Sequence, residues 1–270
     1  MSASATAEPT ASASALDPGT AKAGPRFPST LAPPAYYNGL EDRLRKTLLP
    51  VLEPYFTASA EPSDRPLRVL ELASGTGSHS ILFASSYADQ IESIRPTECD
   101  DYGRERIDET VAAAGRSEGR RGVTEKIKRA RRLDVMDGQD WQALAGSTER
   151  SGAYNLVFGS NFLHMIPFPE GPRRIFSHLL AHKLVNASSA RLIFYGPFRP
   201  SMSDFFSPSD EKFDAEISSR PQPKSETPYR LGLRPLDELF ALAKEEGWQL
   251  EAKHTVEANG NWVLVFRPSL

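Results

Sequence analysis

The 270-residue sequence predicts an α/β fold with a doubly wound, mostly parallel sheet that closes on an antiparallel C-terminal strand. Three observations carry this reading. Short apolar runs of strand type alternate with amphipathic helical stretches from residue 36 onward. A glycine turn, "ASGTGSHS" (73–80), follows the first of those strands. Near the C-terminus, two strand-like runs flank a turn too short for a parallel crossover, so they pair antiparallel.

Taken in order, "NGLEDRLRKTLLPVLEPYF" (38–56) spaces Leu40, Leu44, Leu48 and Leu52 four apart, giving an amphipathic helix interrupted near Pro50. "PLRVLELA" (66–73) is a buried first strand, followed by a helix over Ser78–Ala88. "IESIRPTE" (91–98) is the second strand, with a helix over Asp101–Ala114, and "ARRLDV" (130–135) is a short third. "YNLVFGSNFLHM" (154–165) and "ARLIFYGPF" (190–198) are the fourth and fifth, joined by the helix "EGPRRIFSHLLAHKL" (170–184). A polar loop leads to the helix "RPLDELFALAKEEG" (234–247), stopped by Gly247. "WQLEAKHTVE" (248–257), the turn "ANGN" (258–261) and "WVLVFRP" (262–268) form the terminal hairpin.

Composition narrows the function classes. Lys and Arg total 32 against 35 Asp and Glu, so no global field favours nucleic acid or an anionic membrane. The lone cysteine, Cys99, excludes an internal disulfide and suits a reducing, cytoplasmic setting. No apolar run has the length of a membrane span. Residues 1–35 are mostly Ala, Ser, Thr, Pro and Gly and read as a disordered tail. A targeting segment would want more than Lys22 and Arg26 as its basic residues, or an apolar core. The stretch 115–132 holds eight Lys/Arg against two Glu. It reads as a solvated insert, because an RNA contact would want interleaved aromatic side chains.

Ligands of such sheets bind beyond the carboxyl ends of the strands, where strand order reverses. That rule gathers Glu71–Gly77, Glu98, Asp134 and Asn161–His164 around one crevice. Gly75 and Gly77 supply a tight turn with bare backbone. The third position of a dinucleotide fingerprint is Ser80 instead of glycine, and no GK[ST] of a P-loop follows. Glu71 carries the sign of the ligand. One carboxylate about 5 Å from a phosphate charge, at an effective dielectric near 20, repels it by roughly 3 kcal/mol, and a cation gains as much. S-adenosylmethionine (SAM) brings a sulfonium and an ammonium to this position; the bland alternative turns Glu71 outward into a solvated ion pair. Glu98, closing the second strand, can accept ribose hydroxyls; Cys99 or the following Asp100 can line the adenine, and Asp134 can accept the adenine amino group.

Methyl transfer from a sulfonium needs alignment first and a base only where the acceptor must lose a proton. His164 and Tyr195 are the candidates at the transfer face: His164 as base or pocket wall, Tyr195 as orienting hydroxyl or packing group. His79 opens the helix after the turn as a cofactor contact or local cap. Phe162, Phe168, Phe198, Phe205, Phe206 and Trp262 suggest an apolar mouth, although aromatics at this density also build cores. His178, His182 and His254 lack metal-ligand spacing, so no metal is expected. No G-x-S-x-G elbow supports a hydrolase.

The chain resembles the class I SAM-dependent methyltransferases, and more narrowly the methyltransferase-like 26 family, also called domain of unknown function 938. The resemblance spans residues 36–268 and rests on "LELASGTGSH" (70–79), "RPTE" (95–98), "LDV" (133–135), "NFLH" (161–164), "YGPF" (195–198), "FD" (213–214), "GLR" (232–234) and "LVFR" (264–267). It implies a seven-stranded, Rossmann-like sheet with its last strand antiparallel. It implies Glu71, Ala73, Ser74, Gly75 and Gly77 beside the methionine part of SAM, Glu98 at the ribose, and Asp134 with Val135 at the adenine. It places Asn161 and His164 at the methyl-transfer face. Tyr37, Ala73, Asp210, Pro235 and Gly260 stand where the family usually has other residues. The expected activity is methyl transfer to oxygen or nitrogen on a small molecule by a monomer or weak homodimer, without a nucleic-acid or membrane partner. The rival expectations are an NAD(P)-dependent oxidoreductase and a non-catalytic SAM-binding module.

Overall fold

A computed structural model describes residues 39–57, 66–117, 121–148, 152–220, 230–256 and 261–269. The expected tail (1–35), Tyr37, Gly260 and most of the hairpin turn lie outside the described residues, as do positions 118–120 of the basic stretch.

Seven strands form one sheet: β1 (Leu67–Leu72), β2 (Ile91–Glu98), β3 (Arg131–Arg132), β4 (Leu156–Ser160), β5 (Arg191–Pro197), β6 (Trp248–Val256) and β7 (Asn261–Pro268). Their spatial order is β3-β2-β1-β4-β5-β7-β6. Pairings β1–β2, β1–β4, β2–β3 and β4–β5 are parallel. β7 runs antiparallel to both β5 and β6, so it alone opposes the rest. The terminal hairpin is therefore a wedge, with β7 inserted between β5 and the edge strand β6.

Nine helices occur among the described residues: α1 (Leu40–Thr47), α2 (Leu49–Thr57), α3 (Ser78–Ser86), α4 (Asp101–Gly115), α5 (Arg121–Thr124), α6 (Gly138–Thr148), α7 (Glu170–Ala181), α8 (Pro208–Ser218) and α9 (Leu236–Glu245). A 3₁₀ turn (Leu163–Met165) follows β4. The break between α1 and α2 falls at Leu48, two residues before the expected Pro50. Pro50 sits in the first turn of α2, where its missing N–H is not needed.

The two sheet faces carry separate cores. On one, the Leu40–Leu44–Leu48–Leu52 stripe and Phe56 pack with Phe83, Tyr87, Phe158 and Val263. Phe56 stacks on Tyr87 with centroids 4.3 Å apart. On the other, Trp141, Phe176, Leu179, Leu239 and Trp248 cover Leu70, Val157, Leu192 and Phe266. The core strands β1, β4 and β5 are buried along most of their length, which is why they read as apolar runs without alternation.

Three helices depart from the sequence expectation, the short α5 inside the stretch read as a solvated insert being one. Residues 199–233 were expected as a polar loop, yet α8 forms there, capped by the Ser207 side chain, which accepts from the Asp210 N–H. α6 also forms where no helix was expected, with Trp141, Leu144 and Thr148 buried. β3 is shorter than expected: its pairing ends at Arg132, so Asp134 stands two residues past the strand.

Candidate cofactor and methyl-transfer site

Strand order reverses between β1 and β4, and the glycine turn lies at that point. The turn is closed by its own side chains. The Ser74 hydroxyl donates to the Glu71 carbonyl (3.2 Å) and accepts from the Thr97 N–H (3.1 Å), while the Ser74 N–H donates to the Thr97 carbonyl (2.9 Å). Ala73, Gly75 and Gly77 all have positive φ, of 48°, 59° and 76°. For Ala73 this is the left-handed conformation that glycine adopts without strain.

Glu71 is turned inward and is 1 % exposed. The Ser80 hydroxyl donates to its Oε2 in a short hydrogen bond, and His79 Nδ1 lies 3.5 Å from Oε1. Burial pushes the Glu71 carboxyl up to about 8, and neighbouring Glu98 adds to the rise. Burial pulls His79 down to about 4. The other ring nitrogen of His79, Nε2, is buried without a hydrogen-bond partner.

Glu98 ends β2 with both oxygens engaged: Oε2 accepts from the Gly75 N–H (3.1 Å) and Oε1 from the Cys99 N–H (2.9 Å). It thus ties the glycine turn to the start of α4, and the Cys99 thiol hydrogen-bonds the same carboxylate. Burial holds its carboxyl above the usual range. Gly103 permits this approach, since a Cβ there would run into Glu98 Cγ. Gly103 escaped the sequence reading, although its place in the first helical turn after an acidic strand end was visible.

Asp134 is set by Asp140 instead of by strand pairing. Asp140 Oδ2 accepts from the Asp134 N–H (2.8 Å) and faces Arg132 Nε at 3.0 Å. Asp134 Oδ1 accepts from the Met136 N–H (2.9 Å). Val135 is buried, and its carbonyl accepts from Trp141 Nε1 (3.1 Å). Cys99 is half-buried; burial and then the Glu98 carboxylate raise its thiol well above the ordinary range.

After β4, Asn161 takes the left-handed conformation (φ 53°), its N–H donating to the Tyr195 carbonyl (2.8 Å) and its Nδ2 to the Ser160 hydroxyl (3.2 Å). Gly196 makes room for it: a Cβ there would lie 2.9 Å from Asn161 Oδ1. The Tyr195 hydroxyl accepts from Asn261 Nδ2 (3.3 Å), so β7 braces β5. His164 is buried, edge-on to Phe213 of α8 (5.2 Å), and is pulled down to about 3 by burial, with Arg234 and Arg220 adding to the effect. The structure thus gathers the glycine turn, Glu98, Asp134 and Asn161 along the carboxyl edge of the sheet. His164 is buried within the 3₁₀ turn that follows β4.

Arg234 holds that turn. It is fully buried and donates to three carbonyls: Leu163 (2.9 Å), Arg230 (2.9 Å) and Ile166. Its guanidinium lies 5.1 Å from the Phe168 ring centroid, and burial lowers it to about 9, still cationic at neutral pH. Of the aromatic residues expected at a pocket mouth, Phe162, Phe168 and Phe198 are buried core residues. Phe206 and Trp262 meet edge-to-face at 5.9 Å, with Phe206 exposed.

The fold is similar to that of solved methyltransferase structures. Solved structures of similar fold include an O-methyltransferase family protein from Burkholderia thailandensis (TM-score 0.56, 12% identity, 87% of this chain and 61% of that one). Mitomycin 7-O-methyltransferase MmcR matches with TM-score 0.56 and 13% identity over 87% of this chain and 58% of that one. LepI, solved in complex with SAM, matches with TM-score 0.55 and 17% identity over 83% of this chain and 48% of that one. The chain spans about three fifths or less of the length of these proteins. A family model described as "Protein of unknown function (DUF938)" matches residues 36–268, and the chain belongs to that family. No described helix is long and apolar enough to cross a membrane.

Proposed function

We propose that this protein is a SAM-dependent methyltransferase acting at oxygen or nitrogen on a small molecule, with residues 36–270 as one catalytic domain behind a 35-residue tail. The observation that carries the reading is the pair of buried carboxyls, Glu71 and Glu98, flanking the glycine turn. Among the described residues no lysine or arginine pairs with either. A diphosphate laid over this turn meets acid and no cation. A ligand bearing sulfonium and ammonium groups supplies the missing charge.

The residues present fit such a ligand. The buried Nε2 of His79 is a polar atom awaiting a partner beside the turn. Glu71, Ala73, Ser74, Gly75, Gly77 and His79 would border the amino-acid arm. Glu98 would take the ribose hydroxyls, and Cys99, Asp134 and Val135 would line the adenine. Bound there, SAM supplies an electrophilic methyl on sulfur. Asn161 and Tyr195, with His164 behind them, would face the acceptor and hold its nucleophile in line with the methyl. Such alignment contributes roughly 7–11 kcal/mol in favourable cases. His164 enters as a neutral imidazole that orients by hydrogen bonding, since burial has removed most of its basicity. An acceptor already nucleophilic at neutral pH is the one this site serves best.

Calorimetric titration with SAM tests donor binding: wild type should bind, and Glu98→Ala should lose at least tenfold in affinity. No heat in wild type at near-millimolar SAM sinks the reading. Methyl-labelled SAM with a cell metabolite extract, followed by mass spectrometry, identifies the acceptor. A second reading, SAM binding without methyl transfer, is favoured by the weak basicity of His164, and one protein of similar fold is described as a pericyclic reaction enzyme. It predicts binding with no labelled product.

A further inference from the structure

Among the described residues, no lysine or arginine pairs with Glu71. From α3 it is faced by the Ser80 hydroxyl and by His79. From the glycine turn comes Ser74, and from β2 come Thr97, bonded to the Glu71 carbonyl, and a second acid, Glu98. From β4 comes only Phe158, its partner in register, whose ring also packs on His79 at 5.4 Å. A carboxylate here would lie in a dry site with hydroxyls for company and another acid nearby. Such a group keeps a proton unless a cation arrives.

Among the described residues, the side chain placed to serve as that cation is His79. Whether the proton sits on the Glu71 oxygen or has crossed to the imidazole, the two side chains together hold one exchangeable proton more than a bare carboxylate and neutral ring. With the carboxyl raised to about 8 and the imidazole lowered to about 4, Glu71 carries it.

We propose that the Glu71–His79 pair recognises the amino-acid arm of an adenosyl ligand by proton exchange: the ligand-free pair holds one proton, and it passes that proton to solvent when the ligand's ammonium group takes its place as counter-charge. The inference rests on the SAM-binding reading above. One O–H bond of Glu71 breaks, the proton goes to water or buffer, and the carboxylate pairs with the incoming cation. The sign of the pH dependence follows. Below about pH 8 binding must expel the proton, so affinity rises with pH; above it the pair is already deprotonated and affinity levels off. Ligands built on adenosine alone show neither effect.

The experiment is isothermal titration of the full chain at pH 7 in two buffers of different ionisation enthalpy. The probes are SAM, S-adenosylhomocysteine and 5′-methylthioadenosine, the last lacking the amino-acid arm. SAM and S-adenosylhomocysteine should each release close to one proton, methylthioadenosine none, and Glu71→Gln should bind SAM without release. For wild type alone, SAM affinity should rise about fiftyfold between pH 6 and 8. SAM binding without proton release, release that persists in Glu71→Gln, or less than a threefold change over that pH range overturns the proposal. If none of the three ligands binds, the methyltransferase reading falls with it. If they bind with no proton transfer, only the exchange mechanism falls.

Discussion

Replacing Arg234 by methionine tests the account of the acceptor side. Methionine fills the volume of the buried stem but donates nothing, so the carbonyls of Leu163, Arg230 and Ile166 lose the guanidinium together, Arg230 keeping the Phe168 N–H and Leu163 the Ile166 N–H. A hydrogen bond from a charged donor contributes about 1.5–3 kcal/mol net, and three such bonds are partly offset by no longer burying a cation. The expected loss is roughly 3–5 kcal/mol, which lowers Tm by about 6–20 °C for a domain of this size. The loss should be local in function. Arg234 touches the turn after β4, whereas Glu71, Glu98 and Asp134 sit on or beside β1–β3, so SAM affinity measured calorimetrically should change less than threefold. Urea or thermal unfolding followed by circular dichroism reads the first number. Arg234→Lys should recover part of it, because one ammonium cannot reach three diverging carbonyls. A methionine variant melting within 2 °C of wild type, or one that loses SAM binding as severely as stability, would refute the assignment of Arg234 to the 3₁₀ turn.

Three other outcomes follow from the same structure. Gly103→Ala should cost more than tenfold in SAM affinity and far less in Tm, because the new methyl displaces Glu98 without opening the core; equal losses in both would argue against a ligand role for Glu98. Cys99 should resist alkylation by iodoacetamide at pH 8 far better than free cysteine, since burial and the Glu98 carboxylate keep it a thiol; rapid labelling seen by intact mass contradicts this. The folded pKa of His164, near 3, lies below its unfolded value of 6.5, so its contribution is intact above pH 6.5 and is lost as pH falls toward 3. The urea midpoint of wild type should therefore drop more between pH 7 and 5 than that of His164→Asn, and parallel drops would place the imidazole in water.

The parallel sheet was legible because strands buried on both faces cannot hide their composition: Val69, Leu70 and Leu72, and Ile193–Tyr195, read as apolar whatever surrounds them. The hairpin was legible because a four-residue connection leaves no room for a crossover. α8 was not, for a physical reason. Its inward stripe is Asp210, Phe213, Asp214 and Ile217, so half of its periodicity is written in acids. Asp214 belongs there because its carboxylate accepts the Leu233 N–H (2.6 Å), a partner 19 residues away that local pattern does not reveal. The end signals, Ser207 as cap and Pro208 in the first turn, were present but had no apolar stripe to attach to. At the site, residue type and strand-end position were enough to nominate Glu71, Glu98 and Asn161. Their surroundings were out of reach: that Glu71 lies inward against His79, that Asp134 depends on Asp140, and that an arginine binds only carbonyls are all products of tertiary packing.

The wedge position of β7 bears on how the molecule is made. Strands β1–β5 can associate as they leave the ribosome, but β6 has no neighbour until residues 261–268 exist to bridge it to β5. The same late segment begins with Asn261, which braces the Tyr195 hydroxyl. A chain still in synthesis can thus assemble the glycine turn before the Tyr195 hydroxyl on β5 meets its β7 partner.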